Sequence, residues 1–147
     1  MKKIIYVSAV LSSLVTGLVY AGNDDNDCGK LNIMITNLTK EPCTLLSAYL
    51  FHGYYSYISS VPAFIPPGIS AGPIFLEQGL FGPELELTYS CGPNSVVTFT
   101  SKQNYCFLWA GDVYGEVERA QNTKADYQAA NGSWFWGQHG SINWVLM

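Results

Sequence analysis

Gly68-Ile69-Ser70-Ala71-Gly72 spells the G-x-S-x-G pattern in which a serine can become an acyl-transfer nucleophile. Asp112 or Asp126, and then His139, follow in the chain order of a hydrolase triad. That chemistry needs a strand before the serine and a helix after it, on a parallel sheet. Pro66 and Pro67 before the motif and Pro73 after it deny that context. A Gly/Pro loop is therefore expected, and a small serine hydrolase is the remote alternative. His52 and His139 are the only histidines; each adjoins a glycine, and no H-E-x-x-H spacing exists for a metal. His139 remains a candidate ligand contact. The pairs Glu84/Glu86 and Glu116/Glu118 each share one strand face, where a solvated surface is expected rather than a glycosidase cleft. Asp24, Asp25 and Asp27 lack the calcium-loop pattern and read as a solvated tail. No cofactor and no metal is expected.

The aromatic residues carry more information. Tyr54, Tyr55 and Tyr57 stand together ahead of a proline-rich stretch, with Phe64 within it. Trp134, Phe135 and Trp136 are consecutive. On a strand, Trp134 and Trp136 would share one face and Phe135 would take the other. Such rings suit wet contacts with sugars, lipid interfaces or a protein partner. Small β domains also bury rings, and the core is the favoured place for Trp134 and Trp136, while for the tyrosines both readings stand level. Tyr54, Tyr55, Tyr57, Trp134, Trp136 and His139 are the candidate ligand-binding residues. Asn37-Leu38-Thr39 and Asn131-Gly132-Ser133 match the glycosylation pattern by chance in a bacterial chain.

Lys2 and Lys3, then an apolar run from Ile4 to Tyr20 and a small-residue site at Ala21, form a secretory signal peptide over residues 1–21, bacterial in style. Without Lys2 and Lys3 the chain has five basic residues against eleven acidic ones, a net charge of −6. An acidic chain with no Lys/Arg cluster argues against nucleic acid and against attraction to anionic lipid. Cys28, Cys43, Cys91 and Cys106 are an even set in an exported chain, which implies two disulfides rather than a zinc site. The equal spacing of Cys28/Cys43 and Cys91/Cys106 suggests pairing of neighbours. Cys91 and Cys106 lie at opposite edges of the expected meander, so Cys28 with Cys91 or with Cys106 stands at least level. Secretion or a periplasmic location follows, with no membrane span after cleavage.

The elements that must hold these residues are short strands. Residues 22–30 read as a flexible acidic N-terminus and residues 31–147 as one β domain. Leu31, Ile33 and Ile35 alternate with polar neighbours and predict a strand. Cys43 to Phe51 predicts a second, paired with the first as a hairpin. Val61 to Ala71 has too many prolines for a central strand, and Pro73 to Gln78 is a short one. Glu84 to Ala110 predicts a three-stranded meander, with turns at Gly92-Pro93-Asn94 and at Lys102-Gln103-Asn104, and Tyr105 to Ala110 as its third strand. Asp112 to Glu118 favours a strand over a helix running to Ala130. Asn131-Gly132 predicts a tight hairpin between Ala125–Ala130 and Ser133–Trp136. Ile142, Trp144 and Leu146 share one face of a final strand. The pattern predicts an all-β, single-domain antiparallel β-sandwich, or a barrel-like variant of it, stapled by disulfides.

LNIMITN at Leu31–Asn37, the Ile65–Gly68 loop, Tyr89-Ser90-Cys91-Gly92 and the strand with Trp144 resemble the aegerolysin and actinoporin-like β-sandwiches. The resemblance spans most of the chain after Ala21 and implies binding of membrane lipids. The expected function is a secreted, non-enzymatic binding module recognising membrane lipid or glycan through exposed Tyr and Trp. The alternative is a protein-interaction, structural or inhibitory factor using a sheet edge or the aromatic hairpin.

Overall fold

The computed structural model describes residues 27–57, 59–106 and 110–147. The expected signal peptide, and the expectations that fall on Asp24, Asp25 and residues 107–109, lie outside the described residues. Among the described residues a 3-10 turn, Asp27–Gly29, precedes twelve strands: β1 Lys30–Asn37, β2 Cys43–His52, β3 Tyr54–Tyr55, β4 Phe64–Ile65, β5 Ser70–Glu77, β6 Glu84–Ser90, β7 Val96–Gln103, β8 Ala110–Gly111, β9 Val113–Gln121, β10 Ala125–Ala130, β11 Gly132–Ser133 and β12 Gly140–Leu146. No α-helix occurs among the described residues.

Two five-stranded sheets face each other, in the orders β10-β12-β1-β5-β3 and β4-β2-β6-β7-β9, with the short pair β11-β8 beside them. The sheets stay open rather than closing into a barrel. Every pairing is antiparallel except β1 with β12, which run parallel from Leu31 opposite Gly140 to Asn37 opposite Leu146. Burial follows the period-2 pattern: Leu31, Ile33 and Ile35 from β1, Leu85, Leu87 and Tyr89 from β6, and Ile142, Trp144 and Leu146 from β12 all point inward. Trp144 is the pivot of the core. Its ring lies 4.5 Å from Phe99 and 4.9 Å from Tyr127, and its Nε1 donates to the buried Ser101 Oγ at 2.8 Å. Gly115 on β9 makes room for that ring, since a Cβ there would meet Trp144 Cζ2 at 2.5 Å.

Three pairings differ from the sequence expectation. β1 and β2 do not form a hairpin; they belong to opposite sheets. The crossover is fixed by the buried Asn37, whose amide donates to the Glu41 and Ile65 carbonyls and accepts from the Thr39 amide and hydroxyl. That burial also removes Asn37 from reach of any glycosylating enzyme. The third strand of the meander is β9, paired with β7 from Gln103–Val113 to Val96–Gln121, and Lys102 and Gln103 continue β7 instead of turning. The chain after Gln103 is drawn aside because Cys106 bridges to Cys28. Finally, β10 pairs with β12 and not with Ser133–Trp136. Asn131 is not the corner of a tight turn: its Oδ1 accepts from the Val113 amide and its Nδ2 donates to Asp112. β9 is a strand, as its alternation indicated.

The disulfides pair Cys28 with Cys106 and Cys43 with Cys91. Cys28–Cys106 joins the turn before β1 to the segment after β7 and so ties one sheet to the other, whereas Cys43–Cys91 staples the start of β2 to the end of its neighbour β6 within one sheet, at the opposite end of the sandwich. Two such bridges fit an extracellular or periplasmic protein.

Candidate functional site

Strand register gathers one set of strand ends. His52, Glu84, Lys102 and Tyr114 stand side by side across β2, β6, β7 and β9. Tyr54, Glu77 and Lys30 do the same across β3, β5 and β1, and Ala130 and Ser141 across β10 and β12. The Cys28–Cys106 bridge joins the two rows. Three loops and the start of β3 lie at this end, and each carries a large apolar side chain into water. Tyr54 follows Gly53. Leu80 and Phe81 sit between Gly79 and Pro83, at 93% and 62% exposure. Tyr105 follows β7. Trp134, Phe135 and Trp136 lie between β11 and β12, at 52%, 67% and 83% exposure.

The Trp134–Trp136 segment is a turn, not a strand. Ser133 and Gln138 exchange backbone hydrogen bonds of 2.8 and 2.9 Å, closing a four-residue loop, and Gly137 takes the positive φ of 56° that the corner requires. The alternation that would have put Trp134 and Trp136 on one buried face therefore never operates. Both rings project into solvent, against the expectation of core, and Trp134 meets Phe135 edge to face at 5.7 Å. At the other corner of the same end, Gly53 has φ 84° and abuts the neighbouring loop: a Cβ there would lie 2.5 Å from the Glu77 carbonyl and 3.1 Å from Pro83. His52 packs its ring 5.1 Å from Phe81 and places Nε2 4.0 Å from Glu84. Glu84 also holds Lys102 at 3.1 Å, and that hydrogen bond pushes the Lys102 pKa up.

The other candidates fall differently. Tyr55 is exposed, though less so than Tyr54, and the partial burial of its ring raises its phenol pKa. Tyr57 is fully exposed but lies off the end, along the sheet edge past Ser56, which donates to the Phe75 carbonyl. His139 sits beneath the tryptophan loop, its Nδ1 3.5 Å from Asn32 Nδ2. Ser70 is opposite Thr36, with the two hydroxyls 2.7 Å apart, whereas His139 adjoins Gly140, opposite Leu31. Five residues of β1 separate these positions, about 16 Å, so the structure does not assemble Ser70 with His139. The carboxylates Glu84, Glu86, Glu116 and Glu118 line the outer face of their sheet with Lys102 and Arg119 among them, as a solvated face does. Among the described residues no three His, Cys, Asp or Glu converge to hold a metal. Leu80 and Phe81 were not singled out from the sequence. The available signal was two large apolar residues enclosed by Gly79, Gly82 and Pro83, where polar turn residues are the norm.

No protein-family model matches the sequence, and no curated protein matches it. Solved structures do share the fold. The lipid-binding protein Nakanori superposes with a TM-score of 0.63 at 13% identity, over 98% of this chain and 81% of that one. IP-1A from Alcaligenes faecalis superposes with a TM-score of 0.51 at 15% identity, over 80% of this chain and 89% of that one.

Proposed function

We propose that this protein is a non-enzymatic module that docks on a lipid surface through the aromatic end of its sandwich. The observation that carries the reading is the gathering of Leu80, Phe81, Tyr105, Trp134, Phe135, Trp136 and Tyr54 at one end of a rigid scaffold, each left in water by the fold. Scattered exposed hydrophobics are ordinary; a concentration of them on several loops at one end marks an interaction surface. Tyr and Trp are the side chains that settle at a membrane–water boundary, apolar body inward and polar tip in water. The acidic chain supplies no cationic patch, so insertion of apolar side chains drives docking and anionic lipid adds nothing. The shared fold with Nakanori, a lipid-binding protein, supports the reading at the level of the fold, and the sequence resemblance to aegerolysin and actinoporin-like sandwiches is compatible with it. No helix among the described residues is long and apolar enough to cross a membrane.

Flotation with zwitterionic phospholipid vesicles tests this. The protein is expected to float with the vesicles, with little change between low and high salt. Leu80→Ala combined with Phe81→Ala, or Trp134→Ala combined with Trp136→Ala, should each leave most of it at the bottom. Failure to float, together with capture on a neutral glycan array or by a protein partner, would replace the lipid with that ligand.

A further inference from the structure

Gln103 is the last residue of β7 and is 1% exposed, the position of a core hydrophobe occupied by a carboxamide. Its Nε2 donates to the Cys28 carbonyl, while its Oε1 is buried and makes no hydrogen bond. An apolar residue would fill the site without stranding an acceptor, so the amide is present for what it holds. Four backbone segments close around it. A Cβ on Gly132 would lie 3.2 Å from Nε2, a Cβ on Gly111 would lie 3.1 Å from the carboxamide carbon, and a Cβ on Gly140 would lie 3.0 Å from it; Cys28 supplies the fourth. Gly111 and Gly132 are the paired residues at the base of the tryptophan loop, and Gly140 is where that loop rejoins the sheet.

The β8–β11 pair has two residues on each side, too few to stand alone. Outside, the Asn131 bonds to Val113 and Asp112 steady it. Inside, Gln103 is the group that meets both of its strands, the start of β12 and the disulfide turn at once. We infer that Gln103 is a positioning residue for the aromatic end: its carboxamide locks the base of the Trp134–Trp136 loop to β7 and to Cys28, and so presents the rings in one fixed orientation. The inference rests on the lipid-docking reading only for its functional consequence. The locking itself concerns the free protein.

The test uses Gln103→Met, which fills a similar volume without a donor, and Gln103→Glu, which copies the carboxamide only when protonated. Two quantities are read: backbone amide protection by hydrogen exchange in the free protein, and partition onto zwitterionic vesicles. In Gln103→Met, the Ser133 and Gln138 amides should lose protection roughly tenfold while Ile33 and Leu87 keep theirs, as expected for a local tie the strength of one hydrogen bond. Vesicle partition should fall by a similar factor. Burial raises a glutamate pKa, so Gln103→Glu should be loosened at pH 8 and recover Ser133 and Gln138 protection near pH 5, where the parent protein shows no such change. If Gln103→Met fails to fold, the Gln103→Glu recovery decides alone. Unchanged Ser133 and Gln138 protection in a folded Gln103→Met, or no recovery of Gln103→Glu in acid, would overturn the inference. If the parent protein ignores vesicles while the exchange results hold, the lipid reading fails and the locking role stands.

Discussion

Trp136→Ala isolates the docking end with the least disturbance of the fold. The side chain is 83% exposed, so about 200 Å² of a ring system lies in water. At roughly 25 cal/mol per Å², complete transfer to an apolar phase would be worth about 5 kcal/mol. A ring at the interface, not the bilayer interior, gains about half of that, and alanine retains a little. The expected loss is about 2 kcal/mol, or roughly thirtyfold in partition coefficient. The four-residue turn is closed by Ser133, Gln138 and Gly137, none of which the substitution touches, so the unfolding midpoint should move by less than the ~0.5 kcal/mol of an ordinary surface change. The assay is sedimentation of the oxidised protein over a series of zwitterionic vesicle concentrations. Leu38→Ala is the matched control: Leu38 is also more than half exposed, but it sits at the opposite end, its amide bonded to the Leu146 carbonyl. An equal loss in both variants, or a loss below about threefold in Trp136→Ala, would refute the assignment of the docking end.

Three further outcomes follow from the interior. Replacing Cys43 and Cys91 together by alanine frees a loop of 48-residue separation and should lower stability by about 4 kcal/mol in urea unfolding of the otherwise oxidised protein. Gly115→Val drives a side chain into the Trp144 ring and should destabilise by about 1–3 kcal/mol, seen as a lower thermal midpoint. Tyr89 is buried and donates to the Pro62 carbonyl at 2.7 Å, and burial holds its phenol pKa far above the ordinary value of 10.0. The unfolded chain therefore loses that proton first. The contribution is fully present below about pH 10 and is lost as pH rises toward the folded-state value, so unfolding free energy should decline above pH 10 in the parent and decline less in Tyr89→Phe.

What could be read from the sequence was the local part of the fold. The alternation of Leu31, Ile33 and Ile35, of Leu85, Leu87 and Tyr89, and of Ile142, Trp144 and Leu146 marks strands with one buried face, because each residue's burial depends only on its own strand's pleat. Pairing is a different matter. β12 finds β1 across more than a hundred residues, and nothing near either strand encodes a parallel partner. Asn131-Gly132 looked like a tight hairpin because local turn chemistry favours one. Asn131 is instead held by Val113 and Asp112, and Gly132 is needed where a Cβ would strike the Cys28 carbonyl at 2.6 Å. The same displacement brought Trp134 and Trp136 out of the core, since a turn has no inward face. The cysteine pairing was undecided for a related reason: equal spacing carries no distance, and the choice was made by which strand ends meet. The candidate site was half legible. The tyrosine and tryptophan clusters stood out by composition, but Leu80 and Phe81 became visible only once register placed Gly79–Pro83 at the same end.

The most direct measurement is the quenching of intrinsic tryptophan fluorescence by vesicles whose acyl chains carry bromine near the glycerol end. In a Trp109→Phe background, which leaves three of the four tryptophans, bound protein should be strongly quenched through Trp134 and Trp136, with the buried Trp144 contributing an unquenched remainder, and Trp134→Phe combined with Trp136→Phe in that background should abolish the effect while leaving the protein on the vesicles. Bound protein whose emission is indifferent to bromine would place those rings away from the lipid and contradict docking through this end.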